Sequence, residues 1–251
     1  MGADPIVRLE RPREGVALVT VANPAIRNHG SWATVEQLAA RLAEAREGGA
    51  RVVVIASGVP GHWIEHAWLP DLMNMLRGRP TTGDGAAWFR VLRELSATPV
   101  VSIAAISGDC SGGGAEIGWA CDLRIAEEQA CFGQPEVRIG VATGVGGTCR
   151  VARLLGRTAT AELVLDGAPL RGRCYRKVRH GRATSEVDRR RRISTSEKRL
   201  AVNSPDPLHP PAVLACIPEN GAIPSGRSGS PRLGAGEGRE RNEQGSPRGA
   251  R

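Results

Sequence analysis

Three consecutive glycines, Gly112, Gly113 and Gly114, stand just ahead of Glu116, and a second carboxylate, Glu136, follows twenty residues later in Gln134-Pro135-Glu136. Glycines that open a helix let a ligand approach the backbone closely, because no Cβ stands in the way. The first N–H groups of that helix have no internal partners and lie at the positive end of its dipole. An oxyanion held there gains roughly 3–4 kcal/mol from a single aimed donor. Glu116 lies three residues after Gly113, nearly one helical turn, so its side chain can face the same space. Together these residues can hold an anionic oxygen and move protons beside it. The same glycines could also serve only as a tight turn, and a helix glutamate is often solvated, so residue types alone leave both readings open.

Such a site has to be positioned by the elements around it. Val100 to Ile106 is β-branched and aliphatic and reads as a buried, parallel strand ended by Gly108. Residues 115–121 read as the helix that follows. Upstream, residues 15–22 and 51–56 read as strands. Between them a helix capped by Ser31 runs to about Arg46, with Val35, Leu38, Ala39 and Leu42 on one stripe. Residues 84–96 are helical, with Trp88, Leu92 and Leu95 on one face. Residues 151–165 are helical again, broken at Gly156. Strands alternating with helices predict an α/β class.

Some chemistries are excluded. Gly108-Asp109-Cys110-Ser111-Gly112-Gly113 is close to the nucleophile loop of serine proteases, but Cys110 separates Asp109 from Ser111 and no His/Asp partner set accompanies it. No GxGxxG follows a strand and no GK[ST] phosphate loop occurs, so nucleotide-binding motifs are absent. The five histidines show neither HExxH nor paired spacing, which predicts no metal site.

Four stretches resemble the crotonase superfamily, the enoyl-CoA hydratases and isomerases. They are residues 103–116, 121–126, 132–140 and 144–150, in that family's order and spacing, with Asn23-Pro-Ala-Ile-Arg-Asn28 similar to its first loop. The likeness covers about residues 5–170. It implies a spiral of ββα units and an acyl-CoA thioester as substrate, with no cofactor. It also implies that Gly113 supplies one oxyanion N–H and that Glu116 and Glu136 are the two catalytic glutamates of a hydratase. The second oxyanion donor falls on Ala67. There the family's Ala-Gly-Ala/Gly-Asp loop is replaced by a run in which His66 stands for a glycine and Trp68 for the aspartate, making His66 and Trp68 candidate pocket residues. His66 reads first as a structural hydrogen-bonding group. The implied activity is water addition across the C2=C3 bond of a 2-enoyl-CoA. Isomerisation, decarboxylation or thioester hydrolysis on the same scaffold, or an inactive paralogue acting as an interaction subunit, are the alternatives.

Composition divides the 251-residue chain in two. Residues 1–170, the acyl-CoA-binding core by resemblance, carry 16 basic and 18 acidic residues, whereas residues 171–251 carry 18 basic and 8 acidic, so the net charge of +8 belongs to the tail. Leu, Ile, Val and Phe make up only 11 of those last 81 residues, too few for a packed core, which predicts a disordered Arg/Gly/Pro/Ser-rich tail. The resemblance fades mid-motif after Leu170. That reads as a frameshift that replaces the family's C-terminal helices and weakens the homotrimer or hexamer they imply. The run Arg189–Arg192 reads as solvated rather than as a specific nucleic-acid or membrane site, with no aromatic nearby to stack bases. The six cysteines form no CxxC and read as buried thiols in a reducing cytoplasm. No signal sequence or membrane span is evident.

Overall fold

The structure, a computed structural model, describes residues 6–97 and 99–171. The chain opens with a hairpin of β1 (Val7–Arg13) and β2 (Val16–Val21), turned at Gly15, where φ is +70°. Helix α1 (Trp32–Glu47) follows, then β3 (Val52–Ser57), α2 (Leu69–Leu76) and α3 (Ala87–Leu95). Next come β4 (Val101–Ile106), β5 (Asp109–Ser111), α4 (Gly112–Ala120), β6 (Leu123–Ala126) and β7 (Cys131–Gly133). A 3₁₀ stretch (Pro135–Ile139), α5 (Gly147–Leu155), α6 (Arg157–Ala161), a π turn (Glu162–Asp166) and β8 (Leu170–Arg171) complete the described residues.

The strands form a five-stranded sheet in the order β1-β2-β3-β4-β6, parallel except for the β1–β2 pair, and a three-stranded sheet in the order β5-β7-β8. From β4 onward each turn of the chain places one strand in the large sheet, the next in the small one, and then a helix. This is a spiral of ββα units. An isolated bridge between His62 and Asp109 extends the small sheet's pattern into the preceding turn.

The sequence explains the layers. Along β2, β3 and β4 both faces are apolar and buried, as expected for central parallel strands. Ala17, Val19, Val21, Val53, Ile55, Ala104 and Ile106 face a core shared with α1, α3 and α4, while Val16, Leu18, Val52, Val54, Ile103 and Ala105 form a second cluster. Ser31 caps α1, its hydroxyl accepting a bond from the Thr34 N–H at 3.2 Å. Val35, Leu38, Ala39 and Leu42 are buried along α1 as their spacing predicts, and so are Trp88, Leu92 and Leu95 along α3.

Several readings of the sequence need correction. α4 begins at Gly112, three residues before the predicted start, so the glycines themselves form its first turn. The residue 84–96 helix shortens to Ala87–Leu95. Helix α2 and strands β1 and β5–β8 had not been read as elements. Of the cysteines, Cys110 and Cys121 are buried, but Cys131 is half-buried and Cys149 exposed, and none of the four is in a disulfide. Burial pushes the Cys110 thiol well up and that of Cys121 to about 12, so both stay protonated. The predicted tail, the missing C-terminal helices, Cys174, Cys216 and Arg189–Arg192 lie outside the described residues.

Candidate active site

The need for three glycines at the start of α4 is visible in what each one faces. A Cβ on Gly112 would lie 2.6 Å from His66 Cβ and 3.3 Å from Glu136 Oε1. On Gly113 it would lie 2.7 Å from the Trp88 ring, and on Gly114 2.7 Å from the Glu65 carbonyl oxygen. The loop of residues 64–66 therefore lies directly against the first turn of α4, which no side chain at these positions would permit. Gly113 sits in that first turn, where no helix carbonyl reaches its N–H and no side chain caps it.

Ala67 is held by a parallel bridge to Gly30. The Gly30 N–H donates to the His66 carbonyl at 3.0 Å, and the Trp68 N–H donates to the Gly30 carbonyl at 3.1 Å. Because backbone groups alternate along an extended segment, the N–H of Ala67 itself faces away from Gly30. The Trp88 ring lies against both Gly30 and Gly113.

The two glutamates come from different turns of the spiral. Glu116, one turn into α4, is 1% exposed. Its Oε1 accepts bonds from the N–H groups of Val145 (2.8 Å) and Gly147 (2.6 Å) at the start of α5. Burial pushes its carboxyl up to about 7; these two donors and Arg150 oppose the shift, and the charge of Glu136 adds to it. Glu136 lies in the 3₁₀ stretch, positioned by Pro135 and by Gln134, whose buried amide donates to the Gly112 carbonyl at 3.0 Å. Burial raises its carboxyl as well, while its own backbone N–H and the nearby His66 pull it down. Its Oε2 is buried without a hydrogen-bond partner among the described residues.

His66 and Glu136 both lie against Gly112, and Glu136 lies within the field of Glu116. His66 turns its ring away toward His29 (4.3 Å between centroids), and its Nδ1 donates to the Ala67 carbonyl at 3.0 Å. Trp68 packs edge-on against His29 at 5.7 Å. Sequence reasoning missed Asn28, His29, Glu65, Trp88 and Gly147. Asn28 is fully buried in a left-handed conformation (φ +54°). Its amide donates to the carbonyls of Val21 and Trp63 and to the Ser57 hydroxyl, locking the first loop to the ends of β2 and β3. Asparagine's tolerance of the left-handed conformation is the local signal that could have shown this. The expectation of no metal site rested on spacing along the chain. Folding brings His29, Glu65 and His66 together, with their ligand atoms within 4.8 Å of one another.

A ββα spiral with a glycine-started helix, a buried carboxylate one turn in and a second carboxylate beside it is the crotonase fold. The chain belongs to the enoyl-CoA hydratase/isomerase family, whose profile matches residues 11–175. It is 34% identical over 172 residues to the bovine (Bos taurus) mitochondrial enoyl-CoA hydratase domain-containing protein 2, covering 66% of this chain and 56% of that one. It is 36% identical over 156 residues to the short-chain-enoyl-CoA hydratase of Clostridium acetobutylicum, covering 61% and 59% respectively. The chain thus spans little more than half the length of these curated relatives. Among solved structures, a carnitinyl-CoA dehydratase from Mycobacterium avium matches with a TM-score of 0.60 at 29% identity, covering 69% of this chain and 67% of that one. An enoyl-CoA hydratase from Bacillus anthracis matches at 0.59 and 26% identity, covering 66% and 65%.

Proposed function

We propose that the chain adds water across the C2=C3 bond of a 2-enoyl-CoA thioester. The observation that carries this reading is the pair Glu116 and Glu136: two carboxyls from separate turns, both raised by burial, with the charge of Glu136 adding to the shift at Glu116. In this reading the N–H groups of Ala67 and Gly113 form an oxyanion hole for the thioester carbonyl, stabilising the enolate-like charge that develops at C2. Glu116 as carboxylate takes a proton from water as its oxygen bonds to C3. Glu136 as acid delivers its proton to C2. One water is consumed, and the pair ends with the proton on the other carboxyl. Burial of both carboxyls favours keeping a proton on the pair, the charge state such a reaction needs at neutral pH. Coenzyme A enters as part of the substrate, and no cofactor takes part.

The test is turnover of a short 2-enoyl-CoA by Glu116→Gln and Glu136→Gln. Each should lower kcat by about 100-fold or more while acyl-CoA binding survives. Near-normal turnover in both would remove hydration. One observation favours a second reading, isomerisation. Glu116 Oε1 is tied to two backbone donors while Glu136 Oε2 has no partner among the described residues, so one carboxyl could shuttle a proton between C2 and C4. A 3-enoyl-CoA substrate that Glu116→Gln still converts would select it.

Among the described residues no helix is long and apolar enough to cross a membrane. We propose a reducing compartment, the cytoplasm, which suits four cysteines outside any disulfide.

A further inference from the structure

The group formed by His29, Glu65 and His66 plays no part in the proposed hydration. His29 lies in the loop after β2, and Glu65 and His66 in the loop after β3. They are brought together by the Gly30–Ala67 bridge and by the bond from the Glu65 N–H to the Asn28 carbonyl at 3.0 Å. Both imidazoles have their Nδ1 against a backbone carbonyl, His29 on Ile26 and His66 on Ala67. A carbonyl only accepts, so each ring carries a proton on Nδ1, and its neutral form presents a lone pair at Nε2. Those two lone pairs face each other, with the Nε2 atoms 3.2 Å apart. The Glu65 carboxylate adds a third donor, Oε2, 3.3 Å from His29 Nε2. With both rings neutral, three electron-pair donors converge, and a cation between them, a shared proton or a metal ion, relieves their repulsion.

The spacing fits a zinc-sized ion. Four ligands at the 2.0–2.1 Å typical of zinc, arranged tetrahedrally, lie about 3.3 Å from one another. The His29–His66 and His29–Glu65 edges, 3.2 and 3.3 Å, agree with this, and the third pair lies within 4.8 Å. Imidazoles whose other nitrogen donates to a backbone carbonyl are also the usual form of metal-binding histidine. The carboxylate has outer support: Glu65 Oε1 accepts from His62 Nδ1 at 2.5 Å and lies 3.6 Å from Arg27. The Glu65 side chain is 9% exposed and that of His29 14%, so the site is shielded without being sealed.

We propose that His29 Nε2, His66 Nε2 and Glu65 Oε2 bind one divalent transition ion, zinc by the spacing, with water in the fourth position. The ion ties the loop after β2 to the loop that carries Ala67, fixing the backbone on which that N–H is presented. The ion is structural, and binding is independent of whether the chain hydrates enoyl-CoA.

The experiment uses the full chain, stripped with a chelator and titrated with cobalt(II) and then zinc(II). One equivalent of cobalt should produce the visible bands of a tetrahedral site, and zinc should abolish them. X-ray absorption of the zinc-loaded wild type should show two imidazoles and only nitrogen and oxygen ligands near 2.0–2.1 Å. In the His29→Ala/His66→Ala chain the cobalt bands should vanish and one zinc equivalent disappear from calorimetry. His62→Ala should keep the stoichiometry and weaken binding by roughly 10–100-fold, as loss of outer support does. Absence of tetrahedral bands in the wild type, sulfur in the zinc shell, or bands that persist in a double variant that still folds by circular dichroism would each overturn the proposal. The absorption result needs no variant and decides the question even if the double variant fails to fold.

Discussion

Glu116 makes the most specific demand of any single residue. Its folded carboxyl titrates at about 7 against an ordinary 4.5, chiefly through burial. The folded chain therefore keeps a proton that the unfolded chain releases, so the group's contribution is full below pH ~4.5 and is lost as pH rises toward ~7, about 3 kcal/mol in all. Glu116→Gln keeps an oxygen for the Val145 and Gly147 donors and cannot ionise. Its melting temperature should exceed that of the wild type near pH 8 and approach it near pH 5, while turnover is lost in the hydration reading. An unchanged difference between the two chains across that range would show that Glu116 is not desolvated as described. Gly113→Ala places a methyl 2.7 Å from the Trp88 ring and should cost about 1–3 kcal/mol in denaturant unfolding, as overpacking does. The glutamates and glycines were legible because their types and order carry the chemistry. His29 and Glu65 were not, because they stand 36 positions apart along the chain and are joined by contacts between two loops.

At the scale of elements, legibility followed length and period. α1 offered a cap, sixteen residues and one apolar stripe, and it formed within a residue of its predicted bounds. The break at Gly156 was also legible: φ there is +82°, a conformation that glycine adopts without strain. β5 and β7 have three residues each, too short for any alternation to register. β1 alternates buried Val7 with exposed charge at the sheet edge, so its pattern is polar. α2 lacked a visible role because its key residue is an acid. Asp71 is 1% exposed and accepts bonds from the Trp32 N–H at the start of α1 and from the Thr82 N–H and hydroxyl. Asp71→Ala leaves the two N–H donors without these acceptors and should destabilise the chain by about 2–4 kcal/mol, more than Ser31→Ala, which should cost about 1 kcal/mol. Equal midpoints for the two variants in urea would contradict this ranking.

At the scale of the whole molecule, the apolar surface near the end of the described residues bears on assembly. Leu165 is 72% exposed and Ile139 56%, with Val137 and Val141 also open. If copies of the chain associate through these side chains, as the family resemblance suggested, Ile139→Ser with Leu165→Ser should move the sedimentation coefficient toward that of a monomer and reduce dye binding to exposed apolar area. Identical sedimentation of the two chains at every concentration would separate this surface from assembly. Trp88 has a consequence on the same scale, for the chain's descent rather than its energy. One ring occupies the space that side chains at 30 and 113 would need, so these three positions in three separate segments cannot drift independently. A lineage that acquires a methyl at either glycine first passes through a clash, whereas one that first shrinks Trp88 does not. The order of substitution is therefore constrained. Combining Trp88→Leu with Gly113→Ala should give a chain more stable than Gly113→Ala alone, a sign reversal that marks the indole as the gate to variation at both glycines.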